Sequence, residues 1–223
     1  MPTDEKVQQE EARETGAENQ RVIAPQNRGE SAMVGADSAL PPDLLARLRP
    51  IRLLCLDVDG VLTDGHLYFV GGPDWQQVAA EGRFSQRFSV RDGVGIKLLQ
   101  QAGGLVAILS EGSLIAGRAR AASLRIEHAY FGLSAKLERF AALLAELKLT
   151  PQQAAFIGDE VADLPLLRAV GFAATVPDAV SEVRAAVHYV TARPGGSGAV
   201  REVADLIRRH GDLPAAASAA KAP

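Results

Sequence analysis

Residues 51–63, IRLLCLDVDGVLT, place two carboxylates one residue apart directly after an apolar run. The run 51–56 has the length and composition of a buried β-strand, and Asp57 and Asp59 follow at its carboxyl end. Because successive side chains of an extended chain alternate, the two carboxylates share a face and can converge where the chain leaves the strand. Two carboxylates so close repel each other and resist joint ionisation unless a cation lies between them.

This pair of acids is suited to phosphoryl chemistry with a divalent cation. Mg²⁺ prefers oxygen ligands in octahedral geometry and retains part of its water. One carboxylate can then attack phosphorus while the other exchanges a proton with the leaving alcohol. We therefore predict that Asp57 is a nucleophile that forms an aspartyl-phosphate and that Asp59 is the acid–base group. Taken alone, the Asp-x-Asp pattern is also compatible with two solvated acids at the end of a strand.

The composition limits the class of protein and its partners. At 223 residues the chain fits one domain with tails, and its net charge of −3 gives no basic field for nucleic acid. No apolar stretch approaches the ~20 residues that span a bilayer, and the N-terminus lacks the features of a signal peptide. The single cysteine, Cys55, lies within the apolar run, which indicates a buried small hydrophobe and a reducing compartment. We expect a cytoplasmic protein that binds neither nucleic acid nor a membrane.

Polarity divides the chain into one domain and two tails. Residues 1–42 are polar and lack a sustained apolar period, which predicts a disordered N-terminal tail. The globular domain is predicted over residues 43–210, with Asp43 capping a short first helix that ends at Arg49. Residues 211–223 are predicted to form a flexible C-terminal tail.

Between the tails, short apolar runs alternate with helical patterns. Buried strands are predicted over 51–57, 104–110, 154–158, 171–176 and 187–190. Helices are predicted over 93–102, 113–123, 134–147, 161–169, 178–185 and 198–209. This alternation is typical of an α/β fold in which helices cover both faces of a doubly wound parallel sheet. Ligands bind at the carboxyl ends of such strands, where Asp57, Ser110 and Asp159 all fall.

One insertion interrupts the alternation. Residues 66–70 and 84–90 alternate or nearly alternate in polarity around a polar loop with Gly and Pro, which predicts a small β-hairpin. Neither the hairpin nor the interval between Ser110 and Lys136 is long enough for a cap domain. Because phosphoryl transfer through a charged intermediate benefits from the exclusion of bulk water, we expect a neighbouring subunit to cover the site.

Five segments of the chain resemble one family of enzymes. They are DVDGVLTDG (57–65), FSVRDGVGIKLL (88–99), SAKLERF (134–140), FIGDEVADLPLL (156–167) and PGGSGAVREV (194–203). The first segment resembles the first motif of the haloacid dehalogenase (HAD) superfamily of aspartate-nucleophile phosphatases. The full set resembles the capless 3-deoxy-D-manno-octulosonate 8-phosphate (KDO 8-phosphate) phosphatases of that superfamily.

The resemblance implies a HAD-like fold without a cap domain and a Mg²⁺-dependent phosphatase of lipopolysaccharide sugar synthesis. Its substrate would be a small phosphorylated sugar acid. The resemblance also implies a homotetramer assembled through the hairpins, in which the C-terminal segment of one subunit reaches the next active site. We interpret the glycine-rich stretch 195–198 as part of that segment, because it lacks the spacing and the lysine of a Walker phosphate loop.

Three further residues complete the predicted catalytic site. Ser110 is expected to hydrogen-bond a phosphoryl oxygen, although a serine after a strand is also a common N-cap for the next helix. Lys136 opens a helix, where its charge opposes the helix dipole, so we expect it to offset repulsion between a carboxylate and a phosphate. Asp159 is predicted to bind the metal together with Asp57 and Asp59, the latter also through its backbone carbonyl as in the family.

The motif around Asp159 departs from the family pattern Gly-Asp-Asp, because Glu160 replaces the second aspartate. Glu160 could reach a metal through water, and Asp163 could orient Lys136 or cap the following helix. Acids in the first turn of a helix are also expected from the helix dipole alone, so these roles stay open.

Arg91, Asp92 and Gly93 are predicted to contact the substrate. They precede a predicted helix whose first amide groups form an anion site, and the arginine suits a carboxylate or a phosphate. The alternative is that Asp92 is an N-cap beside a surface arginine.

The second motif bears on the sugar. The KDO 8-phosphate phosphatases usually continue this motif as Thr-Gly-Arg, whereas this chain has Ser110-Glu111-Gly112, which removes a cation that could bind the sugar carboxylate. Either Arg91, with Arg201 from the tail of a neighbour, replaces that cation beside Glu111, or the substrate differs. A capless branch that acts on nine-carbon 2-keto sugar acid 9-phosphates resembles the chain better at this motif.

Three alternatives to the octulosonate phosphatase stay open. They are a phosphatase for a nine-carbon keto-sugar acid 9-phosphate, a HAD-like oligomerisation module without turnover, and a phosphotransferase or phosphomutase. A module would have degenerate catalytic positions, and a transferase would need a cap to exclude water. The four histidines show no metal-ligand spacing and are interpreted as structural.

Overall fold

The structure, a computed structural model, describes residues 40–69, 84–113 and 115–214. Its strands are β1 (Leu53–Leu56), β2 (Tyr68–Phe69), β3 (Phe84–Ser85), β4 (Leu105–Ser110), β5 (His128–Phe131), β6 (Ala154–Ile157), β7 (Phe172–Thr175) and β8 (Tyr189–Val190). Its α-helices are α1 (Pro42–Leu48), α2 (Val90–Gln101), α3 (Ile115–Ser123), α4 (Lys136–Leu147), α5 (Leu164–Leu167), α6 (Ser181–Arg184) and α7 (Ala199–His210). Short 3₁₀ helices cover Pro151–Gln153 and Val161–Asp163. None of the described helices has the length and apolar character that crossing a membrane requires.

The central strand comes from the apolar run that precedes the two aspartates. β1 pairs in parallel with β4 on one side and with β6 on the other, and all four of its residues are buried. The strand order is β5-β4-β1-β6-β7-β8, and every neighbouring pair is parallel. Because this order reverses beside β1, the loops that leave the carboxyl ends of β1, β4 and β6 meet at one crevice. The predicted doubly wound parallel sheet is confirmed.

Helices cover both faces of the sheet because β1 is apolar on both sides. Leu54 and Leu56 pack in the cluster that includes residues of α1, α2 and α7. Leu53 and Cys55 pack in the cluster on the other face, which includes residues of α4 and α5. Complete burial raises the pKa of the Cys55 thiol, in agreement with its interpretation as a small hydrophobe.

The predicted hairpin is present, with short strands. β2 and β3 pair antiparallel, with Tyr68 opposite Ser85, and residues 70–83 lie outside the described residues. α2 begins earlier than predicted, because the Ser89 side chain caps it by accepting a hydrogen bond from the backbone amide of Arg91 at 3.1 Å. Among the residues that the structure describes, none forms a cap domain over the strand ends.

The ends of the domain differ from the predicted boundaries. α1 starts at Pro42, whose missing N–H is harmless at the first position of a helix, so Asp43 lies in the first turn and is not the predicted N-cap. At the other end, the amide of Asp212 donates to the carbonyl of Arg49 at 2.9 Å, and Leu213 packs on the core. The first residues of the predicted C-terminal tail therefore lie against the domain, and the rest of both tails lies outside the described residues.

The C-terminal helix belongs to this domain. α7 buries an apolar stripe against α2 and the sheet. The glycine loop before it packs on the loop after β1, where the amide of Gly196 donates to the carbonyl of Val61 at 3.0 Å. A Cβ at Gly195 would collide with the backbone of Gly60. The interpretation of residues 195–198 as part of a segment that reaches a neighbouring subunit is therefore wrong, because these glycines fit a close approach within their own chain.

Asp92 joins α2 to the N-terminus of α7. Its buried carboxylate accepts hydrogen bonds from the backbone amides of Gly198 at 3.2 Å and of Arg201 at 2.8 Å. It thereby satisfies two free amides of α7 and lies at the positive end of the helix dipole. Gly93 lets α3 approach, since a Cβ there would lie 2.5 Å from the guanidinium of Arg120. These contacts give Asp92 and Gly93 structural roles, and their predicted contact with the substrate stays a prediction.

Asp92→Ala tests this assignment. The variant loses both accepted hydrogen bonds at the start of α7, so we expect its free energy of unfolding to fall by about 1–3 kcal/mol in urea denaturation. The KM of the folded variant should stay at the wild-type value. Asp43→Ala, an exposed acid in the first turn of α1, is the matched control and should change stability by less than about 0.5 kcal/mol. Wild-type stability with a raised KM would instead support the predicted substrate contact.

Candidate active site

The loop after β1 is shaped by Gly60, Thr63 and Asp159. Gly60 has a φ of +82°, and the Asp159 carboxylate lies so close that a Cβ at position 60 would collide with it. The Thr63 hydroxyl accepts hydrogen bonds from the backbone amides of Gly60 at 3.2 Å and of Gly65 at 3.3 Å. This turn lets the carboxylates that follow β1 and β6 approach each other.

A cavity of about 300 Å³ opens at this edge of the sheet. Its charged lining residues are Asp57, Asp59, Glu111, Lys136, Asp159 and Glu160. The structure therefore brings together the aspartates and the lysine that the sequence predicts as catalytic. Five acids and one lysine make the cavity negative, which favours a cation.

Lys136 is buried between two aspartates. Its Nζ lies 2.7 Å from Asp163 Oδ1 and 3.2 Å from Asp57 Oδ1, and the residue is only 6% exposed. Burial by itself would lower the pKa of Lys136, but Asp57 and Asp163 more than offset this effect, so that the pKa is raised. The lysine is therefore charged, and it joins the start of α4 to the ends of β1 and β6.

Asp163 holds both Lys136 and the turn after β6. Asp163 is fully buried, and its Oδ2 accepts hydrogen bonds from the backbone amides of Asp159 at 3.0 Å and of Glu160 at 3.3 Å. Of the two roles that the sequence left open for Asp163, orientation of the lysine is present. Its side chain makes no capping hydrogen bond to α5 and instead stabilises the start of the 3₁₀ turn. The Glu160 carboxylate accepts a hydrogen bond from the backbone amide of Val161 at 2.7 Å.

The carboxylates of Asp57, Asp159 and Asp163 could hold a metal ion. Each offers one oxygen, and these oxygens lie within 4.8 Å of one another. Asp159 Oδ1 is buried and has no hydrogen-bond partner among the described residues, so a cation would satisfy it. Both oxygens of Asp163 already accept hydrogen bonds, from Lys136 and from two amides. Asp57 and Asp159 are therefore the better candidate ligands.

Burial gives these two acids a high proton affinity. The pKa of Asp57 is raised to about 7, chiefly by burial and against the opposing effect of Lys136. The pKa of Asp159 is likewise raised to about 7, by burial and by the charges of Asp57 and Asp163. Such a raised proton affinity reflects negative charge without enough compensation, which a divalent cation would relieve. The oxygen donors and their charge fit Mg²⁺.

The carboxylate of Asp59 lies apart from this group, although the sequence predicts it as a metal ligand. Its Oδ1 accepts a hydrogen bond from Gln86 Nε2 at 2.5 Å, and its Oδ2 lies beside Gly112. Asp163 takes its place in the carboxylate cluster, and ligation by the backbone carbonyl of Asp59 stays a prediction. Sequence reasoning missed Gln86 because it lies in the hairpin insertion, outside every motif.

Comparison with known proteins identifies the family. The family sequence model of haloacid dehalogenase-like hydrolases matches residues 133–202. The 3-deoxy-D-manno-octulosonate 8-phosphate phosphatase of Yersinia pestis is 41% identical over 165 residues, which cover 74% of this chain and 83% of that protein. The chain belongs to the KDO 8-phosphate phosphatase family.

Solved structures of KDO 8-phosphate phosphatases share this fold. The enzyme of Moraxella catarrhalis, in complex with a magnesium ion, a phosphate ion and KDO, matches with a TM-score of 0.69 and 34% identity over 76% of this chain and 92% of that chain. The cobalt-bound enzyme of Haemophilus influenzae matches with a TM-score of 0.67 and 38% identity over 74% and 91% of the two chains. The HAD-like fold and the family that the sequence predicts are confirmed.

The second family motif forms a turn at the end of β4. The buried Ser110 hydroxyl accepts a hydrogen bond from the backbone amide of Gly112 at 3.1 Å. α3 begins only at Ile115, so the alternative in which Ser110 is its N-cap is wrong. Glu111 and Gly112 both line the cavity, in the place where this family usually has glycine and arginine.

Two arginines predicted to bind the sugar carboxylate of a KDO 8-phosphate phosphatase substrate lie outside the cavity lining. Arg91 is exposed on the first turn of α2. Arg201 Nε pairs with Asp205 Oδ2 at 2.6 Å along α7. Their contact with substrate stays a prediction, and it would require the approach of a second subunit.

The raised pKa values predict how the stability of metal-free protein depends on pH. Folding raises the pKa of Asp57 and of Asp159 from 3.8 to about 7, so the folded state binds these protons more tightly than the unfolded chain. In EDTA the melting temperature should therefore fall as the pH rises from about 4 to about 7. Mg²⁺ competes with protons for the same oxygens, so it should stabilise the protein above about pH 7 and have little effect near pH 5.

Two variants make this measurement specific. Asp159→Asn removes one buried charge, so it should raise the melting temperature in EDTA above about pH 7 and weaken stabilisation by Mg²⁺. Asp212→Asn changes an exposed acid far from the cavity and should alter neither quantity. Equal stabilisation by Mg²⁺ near pH 5 and above about pH 7 would contradict the assignment of Asp57 and Asp159 as the metal ligands.

Proposed function

We propose that this protein is a Mg²⁺-dependent phosphatase that hydrolyses KDO 8-phosphate to KDO and phosphate through an aspartyl-phosphate intermediate. The observation that carries this proposal is the cluster of Asp57, Lys136 and Asp159 at the carboxyl ends of the central strands. The family relationship supports the same reaction, because the relatives are named for it.

The first step transfers the phosphoryl group to the enzyme. A carboxylate oxygen of Asp57 attacks phosphorus, the bond between phosphorus and the sugar oxygen breaks, and Asp59 gives its proton to that oxygen. Lys136, 3.2 Å from Asp57, offsets the repulsion between the nucleophile and the substrate, worth about 4 kcal/mol per pair of charges at 4 Å and a dielectric constant near 20. Ser110 and the turn at Gly112 would bind the phosphoryl oxygens.

The second step releases phosphate. Asp59, now ionised, takes a proton from a water molecule whose oxygen attacks phosphorus, and the bond to Asp57 breaks. This returns Asp57 to a carboxylate and Asp59 to an acid. Mg²⁺ held by Asp57 and Asp159, with the Asp59 carbonyl, would neutralise charge on the nucleophile and on the phosphoryl group. Asp163 keeps Lys136 aimed at Asp57 throughout.

The eight-carbon substrate is favoured by the names of the relatives and by the segments 88–99 and 194–203. Glu111 and Gly112 weaken this choice, because they leave the cavity without the usual cation for a sugar carboxylate. A nine-carbon keto-sugar acid 9-phosphate is therefore the second candidate substrate. A non-catalytic module is disfavoured, because the predicted nucleophile and lysine are intact and adjacent.

Phosphate release tests this function. We expect the wild type to release phosphate from KDO 8-phosphate with Mg²⁺, and Asp57→Asn to fold but lose at least about a thousandfold in kcat, because the nucleophile is gone. The control is Asp212→Asn. Retention of more than about a tenth of the activity in Asp57→Asn would refute the covalent mechanism. A kcat/KM more than about tenfold higher for a nine-carbon substrate would change the assigned substrate and leave the proposed mechanism unchanged.

We also infer a cytoplasmic homotetramer in which a neighbour covers the open cavity. Leu67 and Tyr68, at the start of the hairpin, are 49% and 43% exposed, which suits an interface. A C-terminal segment that reaches a neighbour would have to follow Pro214, because the chain before it packs on its own domain. The buried, reduced Cys55 is compatible with the cytoplasm.

Light scattering tests the assembly. The wild type should have the mass of a tetramer, and Leu67→Asp should yield smaller species with reduced kcat/KM, because a charge is inserted in the apolar contact. Leu105→Asp, at the opposite end of the sheet, is the control and should keep the wild-type mass. A fully active monomer would contradict the assembly.

A further inference from the structure

Gln86 is held against the loop that carries the predicted acid–base group. It directly follows β3, and the next two residues also contact the loop after β1. Arg87 Nε lies 2.8 Å from Asp64 Oδ2, and Phe88 forms a β-bridge with Thr63. Both contacts hold the chain directly after Gln86 against the loop after β1, so the base of the hairpin places Gln86 beside Asp59.

The Gln86 side chain makes one hydrogen bond, and its other polar atom has no partner among the described residues. Only 9% of the residue is exposed, and its Nε2 donates to Asp59 Oδ1 at 2.5 Å. Its Oε1 is buried and has no hydrogen-bond partner in the described part of the chain. A buried amide oxygen without a partner destabilises a fold, so stability alone does not explain a glutamine at this position.

The hydrogen bond from Gln86 gives the two oxygens of Asp59 different surroundings. Oδ1 is held by the amide, whereas Oδ2 lies beside Gly112 and would collide with a Cβ at that position. Asp59 and Gly112 both line the cavity. The hydrogen bond from Gln86 therefore fixes the rotation of the Asp59 carboxylate. In this rotation Oδ2 faces the space where a substrate would bind, and the absence of a side chain at Gly112 leaves room for Oδ2.

We propose that Gln86 is a positioning residue that aims Asp59 at the oxygen leaving the phosphoryl group. This rests on the proposed function, in which Asp59 gives its proton to that oxygen. A neutral amide suits the task, because it binds a carboxylate oxygen without adding a charge that would compete with Lys136. Since Gln86 acts through Asp59, its contribution depends on how much the leaving group needs a proton.

The experiment compares two leaving groups in Gln86→Met, which keeps the length of the side chain and removes the donor. An alkoxide leaving from KDO 8-phosphate needs the proton, whereas the nitrophenolate leaving from p-nitrophenyl phosphate does not. We expect kcat/KM to fall about 10- to 100-fold for KDO 8-phosphate and less than about threefold for p-nitrophenyl phosphate. Gln86→His, which restores an N–H donor, should recover part of the loss on the sugar phosphate.

Controls separate this role from a structural one. Gln152→Met makes the same change at an exposed glutamine before β6 and should alter neither kcat/KM. An equal loss on both substrates, or no loss on either, would overturn the assignment. If Gln86→Met does not fold, Gln86→Ala, which also removes the donor and adds no bulk, gives the same comparison of leaving groups. Failure of the wild type to hydrolyse any sugar phosphate would instead refute the proposed function. If the wild type prefers the nine-carbon ester, that ester is the alkyl phosphate used in the same comparison.

Discussion

The ion pairs of Lys136 with Asp57 and Asp163 are the contact on which the site depends. Removing a charged group from water is unfavourable by several kcal/mol, so each buried aspartate requires the lysine, and the lysine requires the aspartates. The lysine begins α4, Asp57 follows β1 and Asp163 lies after β6. One electrostatic contact therefore fixes the relative positions of three elements that are far apart in sequence, and the cavity lies where they meet.

The same contact leaves the site short of positive charge. A single ammonium faces Asp57, Asp159 and Asp163, and one oxygen of Asp159 has no partner in the described chain. The fold is therefore less stable at its centre than a neutral core would be, and the deficit is what attracts a divalent cation. Stability is lowered at the place where chemistry needs charge.

The sequence predicts the parts of this site that depend on local pattern. The apolar run before Asp57 and the alternation of strands with helices predict the sheet and the edge where the acids meet. Contacts that join distant segments carry no such pattern. Gln86 lies 27 residues from Asp59 in the sequence. The backbone amide of Arg201, which donates a hydrogen bond to Asp92, is 109 residues from Asp92. Periodicity reports which face of an element is buried, but it does not report which polar group lies opposite.

The packing of the loop at Gly196 on the loop after β1 has a consequence for the folding of the chain during its synthesis. Asp57 and Asp59 are synthesised long before Gly196, whose backbone supports the loop that follows them. During synthesis, the loop after β1 therefore lacks this support until Gly196 has emerged from the ribosome. Contacts of such long sequence separation form slowly, so the loop after β1 gains this support only after the glycine loop is available to pack on it.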